Sequence, residues 1–252
     1  MREKLIALSM LKAGNWSKIY NFLQQDRQLD SINEVVACQW VEQLNCQVVT
    51  LIDADYPAMW REMPKPPFVV YLKGNCELLT RRVVAMMGGK VASKYAKKAV
   101  WQLIHKLSAD VSVVTGFERG IEMYVNGYAK PRIVCLAAGF ETDSLYCKHE
   151  IYHQLTSDDL MMSELPPKAG FNVQAYYRSY HLIAELSRVV CVFELPSFDL
   201  RVKYLNYLTE VGKQIVVLPN KKNRYTTGGL GLINRGATCL LQVDDVLKHV
   251  RD

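Results

Sequence analysis

A chain of 252 residues, half of them hydrophobic, can hold one large domain or a main domain with a small appendage, and is too apolar to be disordered. No apolar stretch approaches the ~20 residues needed to cross a bilayer. Met1-Arg2-Glu3-Lys4 leads into an amphipathic pattern rather than a secretory signal, so a cytoplasmic protein with no membrane role is expected. The net charge of +6 is modest for this length, which makes the distribution of charge more telling than its sum. Seven scattered cysteines, with no Cys-x-x-Cys or paired-histidine spacing, read as reduced thiols rather than disulfides or a zinc site. Cys135, Cys191 and Cys239 lie in apolar runs and read as small buried hydrophobes.

In chain order, the first 45 residues read as helices. Leu5, Ile6, Leu8 and Leu11, then Ile19, Tyr20 and Leu23, recur at helical spacing around a break at Asn15-Trp16-Ser17, and Ile32 to Leu44 supplies a third segment. Gln47 to Ile52 and Phe68 to Leu72 read as strands. Between them Pro57, Pro64, Pro66 and Pro67 forbid regular structure and predict a rigid connector.

From Arg81 onward short apolar runs alternate with helical patterns, which predicts a parallel sheet covered on both faces. The runs are Val83–Met87, Val111–Thr115, Ile133–Leu136, Leu160–Ser163, Val189–Glu194, Ile215–Leu218 and Thr238–Gln242. The expected fold is α/β: an extended Rossmann-like, doubly wound, mostly parallel sheet preceded by a small helical domain. Ligands in such sheets bind beyond the C-terminal ends of the strands. Those ends carry Gly88-Gly89-Lys90, Thr115-Gly116, Ala138-Gly139, Ser163-Glu164, Glu194 and Pro219-Asn220.

The first of these ends is the most suggestive. Glycines there permit a tight turn and close backbone approach to a ligand. The helix predicted over residues 93–107 would aim its free N–H groups and dipole at whatever sits on the turn. Between Glu77 and Asp110 the chain has seven Lys/Arg and no acidic residue, so a phosphate-bearing partner is expected.

Taken in order, these segments resemble the DprA/Smf family of DNA-processing proteins. Asp55-Tyr56-Pro57, then Pro66-Pro67-Phe68-Val69-Val70-Tyr71-Leu72-Lys73-Gly74-Asn75, is similar to the family's opening segment. Gly88-Gly89-Lys90 stands where the family has Gly-Ser-Arg. Thr115-Gly116-Phe117-Glu118-Arg119-Gly120-Ile121-Glu122 stands for Ser-Gly-x-Ala-x-Gly-Ile-Asp. Gly139-Phe140-Glu141 with Tyr146-Cys147-Lys148, Ser163-Glu164-Leu165-Pro166-Pro167, Leu182-Ile183-Ala184-Glu185-Leu186-Ser187 and the run from Gly229 to Ala237 match later family motifs. On this reading residues 1–46 form a small helical, SAM-like domain, 47–80 a strand and proline-rich connector joining the sheet, and 81–252 the Rossmann-like domain. The winged helix that ends many family members is expected to be absent.

The departures are equally specific. The family's Arg-Asn-Arg falls on Ser179-Tyr180-His181, with Arg178 one place out of register. Its Ser-Gly-Ser-Leu-x-Thr-Ala reads Ser197-Phe198-Asp199-Leu200-Arg201-Val202-Lys203. Arginine replaced by Lys90 keeps the charge and loses bidentate phosphate geometry.

The resemblance implies a single-stranded DNA-binding homodimer that protects incoming strands in natural transformation and hands them to the RecA recombinase, with no catalysis and no cofactor. The candidate contacts are Gly88, Gly89, Lys90, Ser93, Lys94, Thr115, Gly116, Arg119, Gly120, Lys148, Arg178 and His181. Lys97 and Lys98 would extend the positive track, and Tyr176, Tyr177, Tyr180 and Phe198 are rings on which bases could stack. Against this, lysines on a helix are commonly a solvated face, and such tyrosines are commonly core packing with hydroxyls at the rim. A patch around Tyr204, Leu205 and Leu208 reads either as one dimer contact or equally as ordinary core.

Two other readings stay open. A nucleoside-phosphate hydrolase would use Glu118, Glu122, Glu141 or Glu164 as acids, although the Pro-Gly-Gly-x-Gly-Thr loop of that class is missing. A degenerate homologue that has lost DNA binding would act as a protein-interaction module.

Overall fold

The computed structural model describes residues 1–25, 28–142 and 153–251. The apolar runs fold as nine strands of one sheet among the described residues: β1 (Gln47–Thr50), β2 (Val69–Gly74), β3 (Arg82–Gly88), β4 (Val111–Thr115), β5 (Arg132–Cys135), β6 (Leu160–Ser163), β7 (Val189–Phe193), β8 (Gln214–Leu218) and β9 (Thr238–Cys239). Their order across the sheet is β1-β2-β6-β5-β4-β3-β7-β8-β9. From β6 to β9 every pairing is parallel, while β1 and β2 extend the β6 edge antiparallel. The chain thus winds outward from β3 in one direction, returns beside β3 as β7, and winds outward in the other. That reversal, in register from Val84↔Val189 to Gly88↔Phe193, is the switch point of a doubly wound sheet.

Alternation along β3 explains why its run is continuously apolar. Val83, Ala85 and Met87 face one buried cluster, while Val84 and Met86 face another. On the first face lie α7 (Val173–Leu186), α8 (Arg201–Glu210) and α9 (Thr227–Asn234); on the second lie α5 (Lys94–Lys106), α6 (Ile121–Tyr128) and α10 (Asp244–Arg251). α5 shows the sequence logic: Ala96, Ala99, Val100 and Leu103 make a buried stripe, and the lysines 94, 97, 98 and 106 stay outside it. Ser93 caps this helix by accepting from the Ala96 N–H.

The N-terminal helices are α1 (Arg2–Leu11), α2 (Trp16–Leu23) and α3 (Glu34–Glu42). The expected break at Asn15 is an N-cap, its side chain accepting from the Lys18 N–H. The third helix starts at Glu34 rather than Ile32 because Asn33 caps it in the same way. Leu5 and Ile6 of α1 pack in one cluster with Val69 and Tyr71 of β2 and Val134 of β5.

Two expectations are corrected. The proline-rich connector is not wholly irregular: a short helix, α4 (Ala58–Arg61), buries Trp60, whose indole N–H reaches the Leu182 carbonyl at 3.4 Å. Leu205 and Leu208 are interior, packed in the cluster under β7 and β8, so they present nothing to a second copy. Helical periodicity identified an apolar stripe there, and the sheet covers it.

Leu103→Ala should lower unfolding stability by about 2–5 kcal/mol in urea denaturation, through lost transfer energy plus a cavity. Lys98→Ala on the opposite face of the same helix should stay within about 0.5 kcal/mol of the parent.

Candidate nucleic-acid interface

At the switch point the two strand ends are held so close that only glycine fits. A Cβ on Gly88 would lie 2.1 Å from the Phe193 carbonyl oxygen, and one on Gly89 2.3 Å from that of Glu194. The glycines therefore serve the approach of the chain to itself. Gly89 donates its N–H to Phe193 O (3.1 Å) and accepts from the Ile121 N–H (3.2 Å), so that amide is already engaged. Gly120, at φ +87°, permits the same crowding from the other side, since a Cβ there would meet Gly89 O and Lys90. Thr115 donates its hydroxyl to Met86 O at 2.7 Å. Gly116 accepts from Asn126, and a side chain on it would strike the Glu122 carboxylate.

The N-terminus of α5 is also occupied from within. The Glu194 carboxylate accepts from the Ser93 backbone N–H (2.8 Å), the Ser93 hydroxyl and the Asn220 amide. Glu194 adopts φ +47°, a left-handed conformation that disfavours a non-glycine residue, and these three donors hold it there.

Beneath the turn lies a buried ion network. Arg201, at the first turn of α8, donates to Asp199 through two nitrogens (2.8 and 2.7 Å), to Glu122, and to the Gly88 carbonyl (2.8 Å). Its guanidinium lies over the Tyr180 ring, and the Tyr180 hydroxyl donates to Glu122 at 2.9 Å. Burial pushes the Glu122 carboxyl up against the opposing charge of Arg201. At Asp199 desolvation works upward too, but hydrogen bonds and charge from Arg201 prevail and hold the group below its ordinary value.

The other cations near this end of the sheet are similarly engaged. Lys90, 65% exposed, pairs with Glu118 at 3.2 Å, and Arg178 pairs with Glu164 at 2.6 Å in a buried contact. Arg178 also donates to Lys65 O and lies over Trp16, on the side of α7 away from the turn. His181 stacks on Tyr204 with ring centroids 3.7 Å apart. Burial, helped by the charges of Arg178 and Lys65, lowers its pKa to about 4, so it is neutral at pH 7 and adds no charge for a phosphate. The acids Glu118, Glu122 and Glu164 weighed for hydrolysis each hold one of these cations.

The structure thus gathers Gly88, Gly89, Lys90, Ser93, Lys94, Thr115, Gly116, Arg119 and Gly120 at the C-terminal ends of β3 and β4 and the starts of α5 and α6, and sets Arg178 and His181 on α7. Lys148 lies outside the described residues. Of the candidate rings, Tyr180 is buried in the network, Tyr176 donates to Glu118 at 3.3 Å, and Tyr177 is half-buried. Phe198 is open, at 73% exposed. Lys94, Lys97, Lys98 and Arg119 rim the crevice, exposed and with no carboxylate partner among the described residues. Sequence reasoning missed Arg201 and Glu194 as organisers of this end of the sheet. Nothing in the local pattern marks Arg201 as buried, whereas Glu194 at a strand end was a visible signal.

The arrangement is that of a doubly wound sheet with a glycine turn at the switch point, and the family model described as DNA recombination-mediator protein A matches residues 47–251. The chain belongs to that family. Protein Smf of Synechocystis sp. is 27% identical over 237 residues, covering 87% of this chain and 58% of Smf, so the chain spans less than two thirds of that relative's length. DNA processing protein DprA of Streptococcus pneumoniae is 25% identical over 206 residues, covering 79% of this chain and 72% of that protein. The crystal structure of S. pneumoniae DprA superposes with a TM-score of 0.79 at 21% identity, covering 98% of this chain and 93% of that one. DprA from Helicobacter pylori, solved to describe a single-stranded DNA binding mode, gives 0.74 at 18% identity, covering 83% and 97%. Both share the fold. Among the described residues no helix is long and apolar enough to cross a membrane.

Arg201→Met should cost about 3–5 kcal/mol of stability, because Glu122 and Asp199 lose their counter-charge inside the protein. Adding Glu122→Gln should restore part of that loss in urea denaturation, and a single-variant cost under about 1 kcal/mol would contradict the role given to the network. His181 predicts a pH dependence of definite sign. The unfolded chain binds a proton near pH 6.5 and the folded one only near 4, so stability falls as pH drops through that window. The loss is bounded at about 3 kcal/mol, and His181→Phe should flatten the slope between those two pH values in acid-unfolding curves.

Proposed function

We propose that this protein is a single-strand-binding recombination mediator that carries DNA along the rim of its switch-point crevice rather than deep within it. The observation that supports this reading is the division of charge. Lys90 and Arg201, the cations at the turn itself, are each matched by a carboxylate, while Lys94, Lys97, Lys98 and Arg119 stand exposed with no carboxylate partner among the described residues. Unpaired lysines on a helix attract phosphates as point charges and impose no base preference, which suits a protein that must accept any strand. Single-strand binding is described for the H. pylori relative, and family membership extends the inference to this chain. Assembly as a homodimer, transfer of the strand to a RecA recombinase and a place in natural transformation belong to the same proposal and rest on family membership alone. The internal carboxylates favour one competing reading, a family member that no longer binds DNA and works through protein contacts.

Fluorescence anisotropy of a labelled single-stranded oligonucleotide, titrated with salt, separates the two. The wild type should bind with steep salt dependence, and replacing Lys94, Lys97 and Lys98 by alanine should reduce the log–log slope by about 2, at ~0.7 per phosphate contact. A folded wild type that fails to bind at low salt would overturn the proposal in favour of the protein-contact reading.

A further inference from the structure

The loop between β8 and α9 is the second acid-free basic stretch of the chain. Between Glu210 and Asp244 there are five Lys/Arg and no Asp or Glu, and three of those cations fall within residues 221–225, Lys221-Lys222-Asn223-Arg224-Tyr225. Lys221, Lys222 and Arg224 are exposed and none meets a carboxylate among the described residues. Arg224 lies over the Tyr225 ring, 4.6 Å from its centroid.

This loop is built rather than slack. The Thr226 hydroxyl donates to Lys221 O (2.9 Å) and accepts from the Asn223 N–H (3.0 Å), and Asn223 Oδ1 accepts from the Tyr225 N–H (2.8 Å). Anchors on two sides fix where it points. Asn220 donates to Glu194 at 2.6 Å, and the same carboxylate receives Ser93 at the start of α5. On the other side, Thr227 Oγ1 accepts from the Ser197 N–H and donates to the Ser197 hydroxyl, beside the exposed Phe198 ring. Glu194 is thus the joint between two basic segments, with Lys94, Lys97 and Lys98 on one side of the β7 end and Lys221, Lys222 and Arg224 on the other.

We propose that residues 221–225, together with Phe198, form a second contact segment for single-stranded DNA. Its phosphates lie on Lys221, Lys222 and Arg224, and its unstacked bases rest on Tyr225 and Phe198. The segment continues the α5 rim across the switch point, so one strand spans both. Clustered cations beside the open Phe198 ring and the half-exposed Tyr225, whose one face carries Arg224, are a combination that single strands select, because duplex DNA offers the phosphates without the base faces. This inference rests on the reading of the protein as a single-strand binder.

The test is anisotropy with single-stranded and duplex oligonucleotides on the full chain. Lys221→Gln with Lys222→Gln and Arg224→Gln should lower the salt slope by about 2. Lys222→Gln alone, whose side chain bonds to no described residue, should lower it by about 0.7 and guards against misfolding of the triple variant. Phe198→Ala and Tyr225→Ala should each weaken single-strand binding about five- to 150-fold without changing the slope, and leave duplex binding unchanged. Suppose the wild type binds, the α5 lysine variant is weaker, and the loop variants, with unaltered thermal midpoints, match the wild type. The loop proposal then fails and the rim reading stands. Duplex binding equal to single-strand binding would also overturn the loop proposal, by removing the role of the rings. A wild type that binds no DNA overturns both.

Discussion

The Arg201 guanidinium is buried where β3, α6, α7 and α8 converge, and the geometry of the whole C-terminal edge is organised around it. It reaches the Gly88 carbonyl at the end of β3, Glu122 on α6, the Tyr180 ring on α7 and Asp199 just before α8. A charge so enclosed is tolerable only when its hydrogen-bonding directions are filled, which is why two carboxylates and a carbonyl surround it. The glycines of the turn are a consequence of the same crowding. Gly88, Gly89 and Gly116 leave room for strand ends and for Glu122 where any side chain would collide with them.

That arrangement changes how the crevice meets a ligand. In a doubly wound sheet the switch point and the adjacent helix N-terminus form a natural anion site. Here the amide at Gly89 is taken up by Ile121 and Phe193 contacts, and the start of α5 by Glu194. The arginines that the family pattern places at 179 and 181 are replaced by a serine and a neutral, stacked histidine, while a guanidinium enters the same region from α8 and is wholly consumed inside. Positive charge is left to the rim and the neighbouring loop, where it is solvated and free to meet phosphates. A solvated lysine contributes mainly through released counterions, so affinity on such a surface is governed by salt more than by shape.

Family membership and the chain's own chemistry therefore bear on different levels. The match over residues 47–251 and the superposition on S. pneumoniae DprA fix the architecture. The pairing of Lys90 with Glu118, Arg178 with Glu164 and Arg201 with Glu122 belongs to this sequence. Comparable folds can carry differently charged crevices because the sheet requires only that the turn be narrow, not that it be basic.

Local pattern was enough for the elements. Each expected strand is present, within two residues except where β9 stops at Cys239, because short continuous apolar runs bury well as strands covered on both faces. The α5 stripe of Ala96, Ala99, Val100 and Leu103 was equally legible, since its 3.6-residue period is visible along the chain. Alternation of strands and helices pointed to the C-terminal strand ends as the place for a ligand, and the strand order that sets β7 beside β3 came only from the fold. What the sequence by itself could not determine is which charge meets which. Lys90 and Glu118 are 28 positions apart, Ser93 and Glu194 101, and Arg201 and Glu122 79. The first is decided by β4 pairing with β3 and the other two by the crossover that brings β7 beside β3, and together they match the charge at the turn while leaving the neighbouring lysines of α5 unpaired.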